Sequence, residues 1–326
     1  MIRITIIGMG LIGTSLGMAL RSADDSSSPL GKITVTGYDS DARNTSEARG
    51  RLAIDRETRS LGEALRDANL VVLAVPVLAV RDVLRAIAPL LGPGMVVTDT
   101  ASTKAQVLAW ARELLPATID FVGGHPMAGR EKSGPAAAAA DLFRDALYCL
   151  TPTPTVRPQA LELVEAMVQQ VGSKVYFIDP AEHDAYVAGV SHLPFVLSAA
   201  LTEVVSRSPA WKEMMPLAAT GFRDMTRLAA GEPVMHRDIA MTNRDALMRW
   251  LDDAARLMLE IREQLEAGSE EEVLALFERA RETRQAWLAS KPHMRPGEDD
   301  FANPIGGPVE GPNLFGRFGR PRDRRR

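Results

Sequence analysis

The sequence predicts an α/β fold followed by an all-helical region, and two observations lead to this prediction. In the first half, short apolar runs alternate with segments whose apolar residues recur every three or four positions. This rhythm is typical of a mostly parallel sheet with helices on both faces. From residue 181 to about 290, only the helical spacing continues. We therefore expect an α/β domain over residues 1–179, a helical domain over 180–291 and a disordered tail, rich in Pro, Gly and Arg, over 292–326.

Seven segments of the first half are predicted to form strands. Most are apolar at nearly every position, which is expected of strands that are covered on both faces. They are IRITIIG (2–8), KITVTGYD (32–39), NLVVLAVP (69–76), GMVVTDT (94–100), IDFVGG (119–124), ALYCLTP (146–152) and KVYFID (174–179). Residues 77–91 and 103–115 lie between strands and have the spacing of helices.

The second half contains a long helical segment at 245–268, and the chain then carries a stop signal. Gly268 and Ser269 precede three glutamates, a pattern that ends one helix and begins the next. The stretch 186–205 has apolar residues on several helical faces, more than a two-domain monomer would cover. We therefore predict a homodimer formed through these helices.

The composition excludes several classes of protein. A net charge of −4 is too small to indicate a nucleic-acid partner, and no uninterrupted apolar run reaches the roughly 20 residues that a membrane span needs. The lone cysteine, Cys149, rules out an internal disulfide and a cysteine-rich metal site, and we interpret it as a core residue. We expect a cytoplasmic protein without metal, membrane or nucleic-acid partners.

The segment GMGLIG (8–13) fits the pattern G-x-G-x-x-G between a strand and a helix. Gly8 is expected to make a tight turn, Gly10 to let a pyrophosphate approach the backbone, and Gly13 to let helix and strand pack closely. Leu11 and Ile12 belong to the helix N-terminus, whose free N–H groups favour phosphate. This context predicts a Rossmann-type dinucleotide-binding domain.

The second strand ends at Asp39, where a carboxylate would accept hydrogen bonds from the adenosine ribose and repel a 2′-phosphate. NAD is therefore favoured as the cofactor, while nearby Arg43 keeps NADP open as an alternative. Val75 and Pro76 end another predicted strand and complete the predicted cofactor site, because such sites lie at the carboxyl ends of the strands.

A nicotinamide cofactor implies hydride transfer, so the protein must also handle a proton. Ser102 and His125 both follow predicted strands at the edge where the cofactor is expected. An imidazole is the natural acceptor for the hydroxyl proton of an alcohol that is being oxidised. We therefore predict His125 as the catalytic base, with the cluster Glu131-Lys132-Ser133 nearby.

Four other histidines have less definite positions. His192 lies at a proline-interrupted point of an apolar helical stretch, where a core histidine and a site residue are equally plausible. His183 and His236 occur at polar helix starts and are interpreted as surface or interface groups. His293 begins the tail and has no assigned role.

Five segments, in order along the chain, resemble the prephenate/arogenate dehydrogenase family of tyrosine biosynthesis. They are GMGLIGTSLGMAL, DTASTK, GGHPMAGREKSG, VSHLPF and GFRDMTRLAAGEPVMHRDI (221–239). The resemblance covers about residues 1–290, and the block that begins at His125 is its most specific part. It implies oxidative decarboxylation, in which hydride leaves ring carbon C4 for NAD+, the C4 hydroxyl becomes a carbonyl, and loss of CO2 makes the ring aromatic.

The resemblance also implies roles for individual residues. His125 would accept the hydrogen bond of the C4 hydroxyl, and Ser102 would orient that hydroxyl or His125. Arg227 would hold a substrate carboxylate in a charge-assisted pair, which places the site between the two domains.

Four further residues are assigned to the substrate pocket by the same resemblance. His192 would line it, and Glu131, Lys132 and Ser133 would shape its rim, with an ion pair of Glu131 and Lys132 controlling access.

One departure from the family leaves the substrate open. This chain has His236 where many relatives have tryptophan, which leaves both prephenate and arogenate as candidates. An acid near the substrate side chain would favour the ammonium of arogenate, and Asp224 is a candidate for that role. We favour prephenate with NAD.

Two other classes of protein are considered. A β-hydroxyacid dehydrogenase or imine reductase shares the domain plan, but the chain has no lysine-bearing segment typical of the former. A non-catalytic NAD-binding protein would have no reason to keep Ser102, His125 and Arg227 together. We expect neither the chorismate mutase domain nor the ACT domain that some relatives carry, and we therefore expect any tyrosine feedback to act at the active site.

Overall fold

The computed structural model describes residues 1–22, 28–130 and 132–290. The chain divides into two compact units, of which the first comprises Met1–Met258 and the second begins at Leu259. The first unit contains the sheet and most of the helices. The expected tail at 292–326 and the rim residue Glu131 lie outside the described residues.

One sheet forms the centre of the first unit. Its strands are β1 (Ile2–Ile7), β2 (Ile33–Tyr38), β3 (Arg56–Glu57), β4 (Leu70–Leu73), β5 (Val96–Asp99), β6 (Asp120–Pro126), β7 (Leu147–Thr151) and β8 (Lys174–Phe177). Within the described ranges they pair in the order β3-β2-β1-β4-β5-β6-β7-β8. All neighbours are parallel except β6 and β7. This is the mostly parallel sheet that the sequence predicts.

The helices of the α/β part are α1 (Leu11–Ser22), α2 (Ala42–Gly50), α3 (Leu61–Leu65), α4 (Ala79–Ile87), α5 (Ala105–Leu114) and α6 (Pro158–Gln170). The helical part of the first unit contains α7 (Pro180–Val187), α8 (Leu193–Ser206), α9 (Trp211–Met214), α10 (Thr220–Thr226), α11 (Pro233–Thr242) and the beginning of α12 (Arg244–Ala267). The second unit contains the end of α12 and α13 (Glu270–Ala289).

The sheet has a buried apolar cluster on each face. On one face, Ile6 of β1 belongs to the same cluster as Leu16 of α1 and Val164 of α6. On the other face, Val71 of β4 clusters with Leu84 of α4. Burial on both faces explains why these strands are apolar at nearly every position.

All seven predicted strands are confirmed, and the predicted helix at 245–268 is α12. The additional strand β3 is two residues long, and both residues are exposed, so it has no apolar pattern to detect. Between 181 and 290 the structure shows helices and no strand, as predicted. Gly268 has a φ of 67°, a conformation that favours glycine, and it separates α12 from α13.

A turn of π-helix, Ala188–His192, separates α7 from α8. Pro194, two residues after this turn, has no N–H to continue the regular ladder, and the Leu193 N–H bonds the Ala188 carbonyl. The combined stretch Pro180–Ser206 has the length and apolar content of a membrane span. It carries the buried polar residues His183, Asp184 and His192. His183 and Asp184 form hydrogen bonds with the α/β part, and His192 forms one with Asn243.

Candidate active site

The turn between β1 and α1 requires glycine at two positions. A Cβ at Gly8 would lie 2.3 Å from the Ala74 carbonyl oxygen, and Gly8 has a φ of 99°. A Cβ at Gly13 would lie 1.9 Å from the Gly8 carbonyl oxygen. Gly10 differs, because an added Cβ there meets no atom within 4 Å. Protein packing therefore does not explain Gly10, and the open face beside the N-terminus of α1 fits a pyrophosphate.

The other predicted cofactor residues border this turn. Leu11 and Ile12 are half-buried in the first turn of α1 and pack against the core cluster of that face. Val75 and Pro76 follow β4, and the Val75 side chain lies against Gly8. Pro76 is exposed. The carboxyl end of β4 thus gives the glycine turn a hydrophobic contact, from Val75, and a close backbone neighbour, the Ala74 carbonyl.

Asp39 lies at the end of β2, next to the turn that follows β1. One carboxylate oxygen accepts a hydrogen bond from Met9 N at 2.7 Å, and the other accepts from Asp41 N at 2.8 Å. These bonds fix the carboxylate beside the glycine turn, where a ribose hydroxyl would donate to it. Arg43, the residue that keeps NADP open as an alternative cofactor, pairs with Asp41 through its Nη2 atom at 2.7 Å.

Replacing Asp39 with Asn is expected to shift cofactor preference from NAD+ toward NADP+. The amide cannot repel a 2′-phosphate, and it loses a charge-assisted bond to the ribose, which is typically about 1.5–3 kcal/mol. We expect the ratio of kcat/KM for NAD+ to that for NADP+ to fall about 10- to 100-fold. Asp55→Asn is the matched control, because Asp55 also accepts a backbone N–H, from Val35, away from the glycine turn. An unchanged ratio in Asp39→Asn would exclude Asp39 from cofactor selection.

His125 lies near the carboxyl end of β6 and is buried, with 9% of its surface exposed. Its Nδ1 atom is 2.9 Å from Nε2 of His183, and the two rings meet edge to face. The Nδ1 atom of His183 is 2.8 Å from Oδ1 of Asp184. His183, interpreted as a surface or interface group, is not on the surface, because it is 1% exposed and contacts the predicted base.

Asp184 also anchors the start of α5. Its two carboxylate oxygens accept hydrogen bonds from Lys104 N at 2.8 Å and from Ala105 N at 2.9 Å. A carboxylate at a helix N-terminus is favoured by the free N–H groups and the helix dipole. Asp184 thus holds α7 of the helical part against α5 of the α/β part.

The pKa of His125 is well below the usual 6.5 of histidine. Burial is the main cause, since it disfavours the charged imidazolium, and the neighbouring His183, Lys104 and His192 act in the same direction. His125 is consequently held in its neutral form, which is the form that can accept a proton.

A buried ion pair, Lys104 with Asp99, is bonded to Gly124, the residue before His125. Lys104 and Asp99 are both fully buried and are bonded to each other, and Lys104 Nζ also donates to the Gly124 carbonyl at 2.6 Å. Asp99 accepts from Gly124 N at 3.0 Å and from Ala101 N at 2.9 Å. The pair therefore ties the strand that carries His125 to the loop that carries Ser102. Sequence reasoning did not identify either residue.

His192 is 1% exposed and occupies the last position of the π-helical turn. Its Nδ1 atom is 3.1 Å from Nδ2 of Asn243, which also donates to the Asp184 carbonyl at 2.7 Å. Its Nε2 atom is buried and has no partner among the described residues. Burial lowers the pKa of His192 to about 4, so this imidazole is neutral at physiological pH. A neutral, unpaired ring nitrogen is consistent with the predicted position in a pocket wall.

Ser102 and Arg227 are not joined to His125 by a described contact. Ser102 is half-buried in the loop between β5 and α5, and no hydrogen bond links it to His125 within the described part of the chain. Arg227 is exposed and begins a 3₁₀ turn, Arg227–Ala230, that is fixed to α8 by a 2.9 Å bond from Ala229 N to Ser198 Oγ. The structure thus contains the loop, the strand and the turn that carry Ser102, His125 and Arg227. The roles of the three side chains toward a substrate remain predictions.

The predicted rim residues lie on the surface. Lys132 and Ser133 are exposed and, with Arg130, line a shallow depression beside residues 136–138. Because Glu131 lies outside the described residues, the proposed ion pair with Lys132 is not tested.

His236, interpreted as a surface or interface group, is half-buried. Its ring stacks on Phe195 with centroids 4.3 Å apart and planes inclined by 2°. Phe195 in turn contacts the ring of His192. Asp224, the candidate for binding an ammonium, pairs with Arg223 at 2.9 Å.

A glycine cradle at the start of a parallel sheet, an acid at the ribose position and a buried neutral histidine at the carboxyl edge define a nicotinamide-dependent oxidoreductase. The family model for the nucleotide-binding domain of prephenate dehydrogenase matches residues 29–177, and the model for its dimerization domain matches residues 179–279. The chain belongs to the prephenate dehydrogenase family.

Individual relatives agree with this assignment. Prephenate dehydrogenase of Bacillus subtilis is 33% identical over 288 residues, which cover 86% of this chain and 75% of the relative. The crystal structure of Synechocystis arogenate dehydrogenase has 30% identity and a TM-score of 0.73, covering 88% of this chain and 100% of that one. Prephenate dehydrogenase from A. aeolicus, in complex with hydroxyphenyl propionate and NAD+, has 28% identity and a TM-score of 0.78, covering 88% and 98%. NAD is the cofactor that these findings and the glycine cradle support.

Proposed function

We propose that this protein oxidises and decarboxylates prephenate to 4-hydroxyphenylpyruvate, with NAD+ as hydride acceptor. The observation that carries the proposal is the neutral His125, buried at the carboxyl edge of the sheet and held by His183 at 2.9 Å. Membership in the prephenate dehydrogenase family supports the substrate class. Neither a β-hydroxyacid dehydrogenase nor a non-catalytic NAD-binding protein has comparable support.

The reaction needs one proton acceptor and a positioned substrate. Bound NAD+ would supply the acceptor for the hydride of the ring carbon that bears the hydroxyl, and Gly8, Gly10, Gly13 and Asp39 would hold it. His125 takes the hydroxyl proton as that oxygen becomes a carbonyl, and Ser102 orients the hydroxyl. Loss of CO2 then makes the ring aromatic, which drives the reaction, so the protein chiefly positions groups and polarises one O–H bond.

The low pKa of His125 predicts an unusual pH dependence. The base acts in its neutral form, so kcat/KM is lost when pH falls through the pKa of His125 in the free enzyme. Because that pKa is well below 6.5, we expect kcat/KM for prephenate to be nearly constant from pH 8 down to pH 6.5. Steady-state rates across this range test the expectation, and an acid limb with a midpoint at or above pH 6.5 would contradict it.

Arg227→Ala is expected mainly to raise KM for the substrate. Its guanidinium is proposed to bind a substrate carboxylate before and during the reaction, so its loss weakens both states equally and leaves kcat nearly unchanged. A charged hydrogen bond of about 1.5–3 kcal/mol corresponds to an increase in KM of about 10- to 100-fold. Arg207→Ala is the control, since Arg207 is exposed and pairs with Glu203 on the surface of α8. A normal KM in Arg227→Ala would remove Arg227 from the site.

Arogenate is the alternative substrate, and the Synechocystis relative is an arogenate dehydrogenase. The two substrates differ in a side chain that ends in a keto acid or an amino acid. Asp224, the candidate for binding the ammonium of arogenate, pairs with the adjacent Arg223 at 2.9 Å. The matching family models, both of prephenate dehydrogenase, support prephenate.

A steady-state comparison of prephenate and arogenate, each with NAD+ and NADP+, tests the proposed function. We expect the highest kcat/KM with prephenate and NAD+. A preference for arogenate would establish the alternative. No turnover of either substrate, in protein shown to bind NAD+ by calorimetry, would contradict the enzymatic function altogether.

We also propose a homodimer formed through the helical region, 180–291. Tyr186, Val190 and Val204 are exposed apolar residues of the α7–α8 stretch, and Leu274 and Phe277 are exposed on α13. Such exposed apolar residues indicate a protein interface, and the matching family model is that of a dimerization domain. Sedimentation velocity at micromolar concentration is expected to show a dimer, and a stable monomer would contradict the proposal.

We also propose a cytoplasmic location, which the single, unpaired cysteine supports.

A further inference from the structure

We propose that His183 and Asp184 are positioning residues that fix the tautomer of His125, leaving its Nε2 atom unprotonated toward the substrate. The inference rests on the proposed function for its catalytic meaning, but the tautomer itself is a property of the protein alone.

The direction of the hydrogen bonds follows from Asp184. Both of its carboxylate oxygens accept backbone N–H groups, from Lys104 and Ala105, and the same Oδ1 is 2.8 Å from His183 Nδ1. A carboxylate can only accept, so His183 Nδ1 must carry the proton that it donates.

The tautomer of His183 then determines that of His125. In a neutral imidazole with Nδ1 protonated, Nε2 is an acceptor. His183 Nε2 lies 2.9 Å from His125 Nδ1, so His125 Nδ1 must be the donor of that bond. The remaining nitrogen of His125, Nε2, is therefore the one with a free lone pair. The opposite arrangement would require His183 to carry both protons in the resting enzyme, before the substrate has supplied one.

The free Nε2 is the atom that the reaction needs. It can accept the hydroxyl proton directly, whereas the other tautomer would present an N–H that blocks the transfer. Protonation at Nε2 would place a positive charge on a buried ring, which is unfavourable. The His125 Nδ1 proton can shift toward His183 Nε2 at the same moment, so that the charge lies on His183 beside the Asp184 carboxylate. The three residues together gain one proton, at His125 Nε2, and lose none. No electrons are transferred among them.

Other charged and titratable groups surround this chain of three residues. Lys104 at the start of α5 and His192 of the π-helical turn both disfavour positive charge on His125. Asp99 of β5 neutralises Lys104 in part, and Cys149 of β7 pairs with His125 across the strands. Asp184 is thus the carboxylate that touches the histidine pair among the described residues.

The most direct test is nitrogen-15 NMR of the protein with labelled histidines, with the His125 signals assigned by comparison with His125→Gln. At neutral pH we expect His125 to be protonated at Nδ1 and unprotonated at Nε2. A His125 protonated at Nε2 would overturn the proposal. This measurement needs no substrate, so it separates failure of the inference from failure of the proposed function.

Asp184→Asn supplies the second test. An amide lacks the charge of the carboxylate, and with its NH2 group toward His183 Nδ1 it donates instead of accepting, so protonation of His125 at Nδ1 is no longer enforced. We expect kcat for prephenate to fall by about 10²-fold or more, with KM for NAD+ unchanged, because a misplaced proton removes most of what a general base contributes. His183→Gln keeps an acceptor for His125 Nδ1 but cannot take up charge, so its kcat should fall less than that of Asp184→Asn.

Asp238→Asn is the matched control, because Asp238 is also a buried acid, paired with Arg237, but lies on α11 outside the chain of three residues. We expect this control to keep its kcat even if its melting temperature falls. Wild-type kcat in Asp184→Asn would overturn the inference. So would losses of kcat that simply follow melting temperature across all three variants. If Asp184→Asn does not fold, the NMR result on the wild-type protein decides the question.

Discussion

His125→Asn is expected to lower kcat for prephenate oxidation by about 10²–10⁴, the range that general-base catalysis contributes. The asparagine side chain can still occupy the position near the end of β6 and bond to His183, but it cannot accept a proton. Binding of NAD+ should be unchanged, because the glycine cradle and Asp39 lie on other elements of the sheet. Steady-state kinetics and calorimetric titration with NAD+ measure the two effects separately.

Cys149→Ala is the control for packing around His125, since Cys149 lies opposite it on β7 and is buried. We expect this variant to keep a kcat close to that of the wild type. If His125→Asn also turned over at the wild-type rate, another group would have to accept the hydroxyl proton, and the proposed mechanism would be wrong.

Lys104→Met is expected to cause the largest loss of stability. The substitution leaves Asp99 as a buried charge without its cation, and breaking a buried ion pair in this way typically costs about 3–5 kcal/mol. Burial already lowers the pKa of Lys104 despite the attraction of Asp99, which shows how strongly this site opposes an uncompensated charge. Urea unfolding followed by circular dichroism measures the change in the free energy of unfolding.

Two companion variants make this prediction specific. Lys104→Met combined with Asp99→Asn should recover part of the lost stability, because no buried charge remains. Arg81→Ala removes one partner of the exposed pair with Glu113 and should cost no more than about 1 kcal/mol. If Lys104→Met cost as little as Arg81→Ala, the buried pair would not be the structural support that its position indicates.

Much of the fold was predictable because it depends on local pattern. The strands are apolar on both faces, and the glycine turn between β1 and α1 depends on contacts within that turn and with the end of β4. His125 was also predictable, since a histidine that follows a buried strand and two glycines points to a special position. Apart from the contact with the end of β4, these signals lie within a few residues of the features that they predict.

The residues that support the site, His183 and Lys104, were not predictable, because their contacts are not local in the sequence. His183 contacts His125 across 58 residues of sequence, and its surroundings in the segment PAEHDAYV are as polar as those of a surface helix. Lys104 is fully buried, although lysine is among the residues least often buried. In both cases the functional arrangement arises from tertiary packing, and the sequence nearby gives no periodic or local signal for it.

The central claim is that Nε2 of His125 receives the proton of the substrate hydroxyl. A crystal structure of this protein with NAD+ and hydroxyphenyl propionate, the ligands of the A. aeolicus relative, tests that claim directly. We expect the ring hydroxyl about 2.6–3.2 Å from His125 Nε2. A ligand bound beside the nicotinamide with its hydroxyl on another side chain, and His125 Nε2 out of hydrogen-bonding reach, would contradict the claim.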